Sequence, residues 1–206
     1  MELNPKLIDV EVPERPEGVV LVLHGGASRR ANMMVSPTQL SVLRMIPIAR
    51  RLARAGDGRL AVFRLLNSRR GWDTSSTPVH DTRWALDQIA DRLGARPRLA
   101  TCLVGHSLGG RAALLAAGQP EVRSVVALAP WVYPTDVASD LSGDERILIV
   151  HGDADRIASP ERSRALAARL GAKYVTVEGG KHAMLSHRRA FSRHTVDWVT
   201  DTLLAS

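Results

Sequence analysis

Cysteine is almost absent from this 206-residue chain: Cys102 stands alone. That excludes an intramolecular disulfide and a cysteine-based zinc site. Lysine is scarce as well. Of 28 basic side chains, all but Lys6, Lys173 and Lys181 are arginine. The formal charge is +7, which raises the question of nucleic acid. The arginines are scattered, however, and an Arg-for-Lys bias beside abundant Ala, Gly and Leu fits a GC-rich coding sequence better than a binding function. Aromatic residues make up 4% of the chain, and no RNA-binding signature with stacking rings, helix-turn-helix or zinc finger is visible. Unbroken apolar stretches such as Val19–Leu23 and Val125–Ala129 fall far short of the ~20 residues of a membrane-spanning helix. The opening Met-Glu-Leu-Asn-Pro has no basic region followed by an apolar run, so no signal peptide is expected.

What is present is enough to build a core: 45% of residues are apolar and 24% charged. The expectation is a cytoplasmic protein with a single domain over residues 1–206, and no nucleic-acid or membrane partner. Short β-branched runs alternate with helical patterns. Strands are expected at Leu7–Val12, Val19–His24, Leu60–Leu66, Ala100–Gly105, Ser124–Ala129, Ile147–His151 and Lys173–Val177. Helices are expected at 37–55, 78–94, 108–117, 160–170 and 188–204. Several strands are continuously apolar, as strands buried on both faces are. Alternation of this kind predicts a doubly wound, mostly parallel α/β sheet of about seven strands with helices on both faces. Ligands of such sheets bind beyond the carboxyl ends of the strands, so the informative residues should follow each strand.

The strand Ala100–Gly105 runs into Gly105-His106-Ser107-Leu108-Gly109-Gly110. This is G-x-S-x-G between a strand and a helix, the context in which a serine sits on a strained turn with its hydroxyl exposed. The helix beginning at Leu108 aims backbone N–H groups and its positive dipole end at the same place. Ser107 is the candidate nucleophile.

At this point the chain resembles the α/β-hydrolase family, from about Gly18 to the carboxyl terminus. In that fold the order is nucleophile, acid, histidine. After Ser107, His151-Gly152-Asp153-Ala154-Asp155 resembles the family's H-G-x-x-D segment, which makes Asp155 the implied acid, with Asp153 as competitor. The glycine-rich turn Glu178-Gly179-Gly180-Lys181-His182 follows the last strand, and the resemblance makes His182 the base rather than His187 or His194. His106 and His151 are expected to pack or hydrogen-bond near the turn. The segment His24-Gly25-Gly26-Ala27 resembles the family's H-G-G loop. It implies an oxyanion hole from the N–H groups of Leu108 and Gly26, with Ala27 as the alternative second donor.

Many relatives carry a cap inserted after the strand that here ends near Ala129. Pro130–Arg146 has room for a short helix at Asp136–Leu141 but not for a cap domain. Trp72, Trp131 and Met184 are candidate walls of a substrate pocket; Met33, Met34 and Tyr133 also follow strands. Arg29, Arg30, Arg69, Arg70, Arg156, Lys181, Arg188 and Arg189 fall in loops on the expected site side, a distribution that would suit an anionic substrate, although Asp73, Asp136 and Asp153 share that side. The implied activity is hydrolysis of a small carboxylic ester or thioester through an acyl-enzyme, with no metal or organic cofactor. Two alternatives stay open: a non-catalytic binding or scaffold protein of the same fold, and an acyl transferase or perhydrolase using the same residues. Oligomeric state is not readable from the sequence.

Overall fold

Period-two alternation along the strands decides where every layer lies. The computed structural model describes residues 4–26, 35–72, 76–94, 98–136 and 141–205. Its strands are β1 (Lys6–Glu11), β2 (Gly18–Leu23), β3 (Leu60–Leu66), β4 (Thr101–His106), β5 (Val122–Leu128), β6 (Arg146–Gly152) and β7 (Lys173–Val177). They form one seven-stranded sheet in the order β1-β3-β2-β4-β5-β6-β7. All pairings are parallel except that of β1 with β3, at one edge.

Successive side chains of a strand point to opposite faces. Val19, Leu21 and Leu23 of β2 therefore join one apolar cluster, and Val20 and Val22 the other. On the first face lie α3 (Thr77–Leu93), α4 (Leu108–Leu115) and α5 (Pro160–Leu170), contributing Leu86, Ala113 and Leu166 among others. On the second lie α2 (Ile46–Gly56) and α6 (Arg188–Leu203), contributing Leu52, Phe191 and Val199. Helices on both faces of a mostly parallel sheet make the doubly wound architecture. The two central strands β2 and β4 are buried along their whole length.

The sequence pattern over 37–55 suggests one helix, but two form: α1 (Leu40–Leu43) and then α2. Pro47 is the reason. It has no N–H to give a preceding turn and its ring clashes with that turn, so it occurs in the first turn of α2 and the chain breaks ahead of it. In contrast α5 starts where its signals say: Pro160 is in the first turn, and Ser159 Oγ accepts from the Arg162 N–H at 3.1 Å. Of the short helix expected at Asp136–Leu141, residues 137–140 lie outside the described ones.

No helix among the described residues is long and apolar enough to cross a membrane. The link from β5 to β6 is short, and among the described residues no cap domain covers the carboxyl edge of the sheet.

Candidate active site

Ser107 is set by steric necessity. It lies between β4 and α4 with φ 56° and ψ −118°, a region that side-chain-bearing residues rarely adopt. A Cβ on Gly105 would collide with the Gly109 backbone, and one on Gly109 would meet the His24 carbonyl oxygen at 2.5 Å. The first turn of α4 thus lies directly against the ends of β4 and β2. The backbone of Ser107 is tied down on both sides. Its N–H donates to Leu128 O at 3.0 Å, and its carbonyl accepts from the N–H groups of Trp131 and Arg111, both at 3.1 Å. The expected exposure of the hydroxyl is corrected by the packing: Ser107 is 6% accessible, because Gly25, His106 and Trp131 surround it. It lies in the wall of a cavity.

His182 reaches Ser107 from the loop after β7. Its Nδ1–H donates to Asp155 Oδ2 at 2.8 Å, which leaves Nε2 as an acceptor 3.0 Å from Ser107 Oγ. Asp155 follows β6 and is buried. Its Oδ1 accepts from the N–H groups of Ile157 (2.8 Å) and Ala158 (3.0 Å), and its Oδ2 accepts from both His182 and His151 Nε2, the latter at 3.0 Å. Burial works to raise the Asp155 pKa, but these hydrogen bonds outweigh it and hold the carboxyl well below the usual carboxylate range. The loops meet closely because Gly152, at the end of β6, lies against the Gly180 backbone, where a Cβ would collide.

The competitors are elsewhere. Asp153 Oδ1 accepts from the Gly179 N–H at 2.7 Å and is exposed, a turn contact. His187 occupies the N-cap position of α6 without a side-chain capping bond, and His194 is within that helix. His106 donates from Nε2 to the carbonyl oxygen of His182 at 2.9 Å; burial, with His182 and Arg44 nearby, pushes its pKa down to about 3.

The loop after β2 is held by His24. Its Nε2 accepts from the Asn67 N–H at 3.1 Å, so Nδ1 carries the hydrogen and donates to Gly25 O at 2.6 Å. Burial pushes the His24 pKa down to about 4, which keeps this neutral tautomer. In a planar trans peptide the carbonyl and the next N–H point in opposite directions. Pinning Gly25 O therefore fixes the direction of the Gly26 N–H. Leu108, whose N–H is the first of α4, shares the cavity with Gly26. Ala27, the other donor considered, lies outside the described residues, as do Arg29, Arg30, Met33, Met34 and Asp73.

The cavity over Ser107 measures about 350 Å³. Gly25, Gly26, Leu108, Trp131 and Ile157 line it around Ser107 and His182, and Ser41 and Arg44 close it from the side of α1. A second depression of about 500 Å³ lies beyond His182 and Ile157, bordered by Arg156 and Lys181. Of the three pocket walls expected from sequence, Trp131 lines the cavity and the other two do not. Trp72 lies under the Arg111 guanidinium, 4.0 Å from the ring centroid. Met184, at 3% accessibility, is packed into the core cluster with Val150, Val177 and Phe191; as an apolar side chain beside the sheet it gains more from that burial than from a polar rim. Sequence reasoning missed Ser41, Arg44, Ile157 and the His151–Asp155 bond. The first two were hidden inside the supposed continuous helix 37–55. Ile157 follows the implied acid, a position that could have flagged it.

The profile of the Alpha/beta hydrolase family matches residues 19–145. The chain belongs to this family. No curated protein matches it in sequence. Among solved structures, the chain is similar to an alpha-beta serine hydrolase homologue from Coxiella burnetii, with 16% identity and a TM-score of 0.69, covering 95% of this chain and 90% of that one. It is also similar to an a/b serine hydrolase without lid from Xanthomonas campestris, with 19% identity and a TM-score of 0.67 over 98% and 90%. A monoacylglycerol lipase from Paleococcus ferrophilus aligns at 18% identity and a TM-score of 0.66, over 98% and 100%. At these identities the likeness speaks for the α/β-hydrolase fold.

Proposed function

We propose that this chain, folding as one domain, is a serine hydrolase of small carboxylic esters or thioesters, with Ser107 as nucleophile, His182 as general base and Asp155 as the acid that orients it. The observation that supports this reading above all is the unbroken chain Asp155 Oδ2–His182 Nδ1 (2.8 Å) and His182 Nε2–Ser107 Oγ (3.0 Å). A serine hydroxyl is a weak nucleophile until a neutral imidazole accepts its proton. Here Nδ1–H is committed to the carboxylate, so the lone pair of Nε2 faces the hydroxyl.

Ser107 Oγ attacks the acyl carbon while Nε2 takes its proton. The oxyanion that forms is held by the N–H groups of Leu108 and Gly26, each worth ~3 kcal/mol in such sites. The imidazolium, stabilised by Asp155, returns the proton to the departing alcohol or thiol. Water then enters by the same base, forms a second tetrahedral intermediate and releases the acid, regenerating Ser107.

The test is labelling with a fluorescent fluorophosphonate in wild type and in Ser107→Ala, followed by a screen of esters and thioesters graded by chain length. Labelling of folded wild type that disappears in the variant is the expected result. Folded wild type that takes no label and turns over no ester would instead favour a binding or scaffold role.

A further inference from the structure

The cavity over Ser107 has a guanidinium in its wall. Arg44 closes α1 and lines this cavity together with Ser107, Leu108 and Trp131. No carboxylate lines it among the described residues. Five arginines elsewhere have acidic partners: Arg59 pairs with Glu17, Arg92 with Asp9, Arg98 with Asp87 and Glu121, Arg111 with Asp136 and Arg146 with Asp201. Arg44 has none among the described residues, and its Nε is buried with no hydrogen-bond partner. Burial pulls its pKa below the usual arginine value, although a guanidinium stays charged throughout the working range. Its field also reaches His106, where after burial and His182 it helps to keep that imidazole uncharged.

The buried Nε–H of Arg44 has lost its hydration with no hydrogen bond in exchange. A guanidinium is the group best shaped to take a carboxylate or phosphate through two parallel N–H donors. The cavity measures about 350 Å³, near the small end of ligand sites, so an anion bound by Arg44 sits on the same small molecule whose carbonyl meets Ser107.

We propose that Arg44 is the specificity residue of this site and that the substrate carries a carboxylate or phosphate, held by the Arg44 guanidinium within the cavity over Ser107. The assignment rests on the hydrolase reading and narrows it from esters in general to anionic ones.

Two matched ester pairs test it and tell apart the two places the anion can occupy. For the acyl part, 4-nitrophenyl hemiglutarate is compared with 4-nitrophenyl butyrate. For the leaving part, 4-acetoxybenzoate is compared with its methyl ester. Wild type is expected to prefer the anionic member of one pair by roughly tenfold to a hundredfold in kcat/KM, the range of one charged hydrogen-bonded contact. That preference should collapse in Arg44→Gln and survive largely in Arg44→Lys. No preference in either pair, or a preference that persists in Arg44→Gln, overturns the proposal.

A binding measurement keeps the test separate from catalysis. Glutarate is titrated calorimetrically into Ser107→Ala and into Ser107→Ala/Arg44→Gln, with circular dichroism to verify folding. At least tenfold weaker binding in the double variant supports the role of Arg44 even if fluorophosphonate fails to label Ser107 and the hydrolase reading falls. Equal binding in the two proteins removes Arg44 while leaving that reading intact.

Discussion

The imidazole of His106 donates from Nε2 to the carbonyl oxygen of His182 at 2.9 Å, so the residue just before the candidate nucleophile holds the backbone of the candidate base. The rings of the two histidines lie 5.0 Å apart, tilted by 47°. The end of β4 and the loop after β7 are thereby locked at the point where their side chains must align to within a fraction of an ångström. His106→Phe keeps a ring of similar size but leaves the His182 carbonyl without its donor. The expected result is a loss of ~1–3 kcal/mol in unfolding free energy and a fall in kcat larger than any change in KM. His106→Gln, which can still donate to the carbonyl, should restore part of both. Urea denaturation and steady-state kinetics measure it, and a His106→Phe protein with unchanged kcat would remove the positioning role.

Asp155 and Asp153 are two residues apart and should respond very differently. Asp155 accepts from two histidines and two backbone N–H groups while buried. Asp155→Asn puts an amide where one of those acceptors stood. It should lower kcat by ~10⁴, the scale known for the equivalent change in a serine protease, and lower stability as well. Asp153 accepts from Gly179 N–H on the surface, so Asp153→Asn should leave kcat within about twofold, because an exposed turn contact is worth little. Comparable kcat losses in both variants would place the acid wrongly.

Acid stability should be governed by two buried neutral histidines. Burial pushes His24 down to about 4 and His106 down to about 3, whereas both return to ~6.5 in the unfolded chain. Below that pH the unfolded state binds protons that the folded state refuses. Stability is therefore complete above about pH 6.5 and drains as pH falls toward the two folded values. Asp155, held low in the folded state, adds a loss in the same direction below about pH 4. Thermal melts should show Tm nearly level above pH 7 and falling steadily from about pH 6 downward. His24→Gln should flatten the upper part of that fall, and a Tm that stays level down to pH 4.5 would contradict the assignment.

Arg111 and Asp136 form a two-pronged ion pair at 2.8 and 2.7 Å with side chains only 14% and 8% exposed. Trp72 and Tyr133 lie against the guanidinium at 4.0 and 4.7 Å, and Asp136 also accepts the Tyr133 N–H at 2.8 Å. Arg111→Met leaves the carboxylate without its partner in a buried place, at a cost of ~3–5 kcal/mol. Adding Asp136→Leu should recover much of that loss, since a matched apolar pair avoids the stranded charge. Equilibrium urea unfolding of the single and double variants decides it; additive losses would mean that the pair is not coupled.

The order of elements was legible because β2 through β6 are apolar almost without interruption, as strands covered on both faces must be. The seven expected strands match the observed ones to within about two residues. The G-x-S-x-G turn was legible for steric reasons: its glycines stand where any Cβ would strike another backbone. What escaped notice depends on partners remote in sequence. Met184 looks like a loop residue until β6, β7 and α6 close over it. His151 looks like a strand end until Asp155 folds back to it. Arg44 was concealed by a helical pattern that runs through Pro47, which only chain sterics interrupt. Burial of Ser107 was equally invisible, since Gly25 and Trp131 reach it from other strands.

Strand β7 lies at the edge of the sheet, paired on one side with β6 alone and partly exposed along most of its length. His182 follows this strand, while Ser107 follows the central β4. Edge segments with few buried contacts open more often than the interior of a sheet. A brief detachment of β7 and its loop would withdraw the imidazole and pull Val177 and Met184 from the second apolar cluster, while the first keeps all its buried members. Inactivation by heat or denaturant should consequently run ahead of the loss of bulk structure, which makes turnover a more sensitive gauge of that margin than circular dichroism.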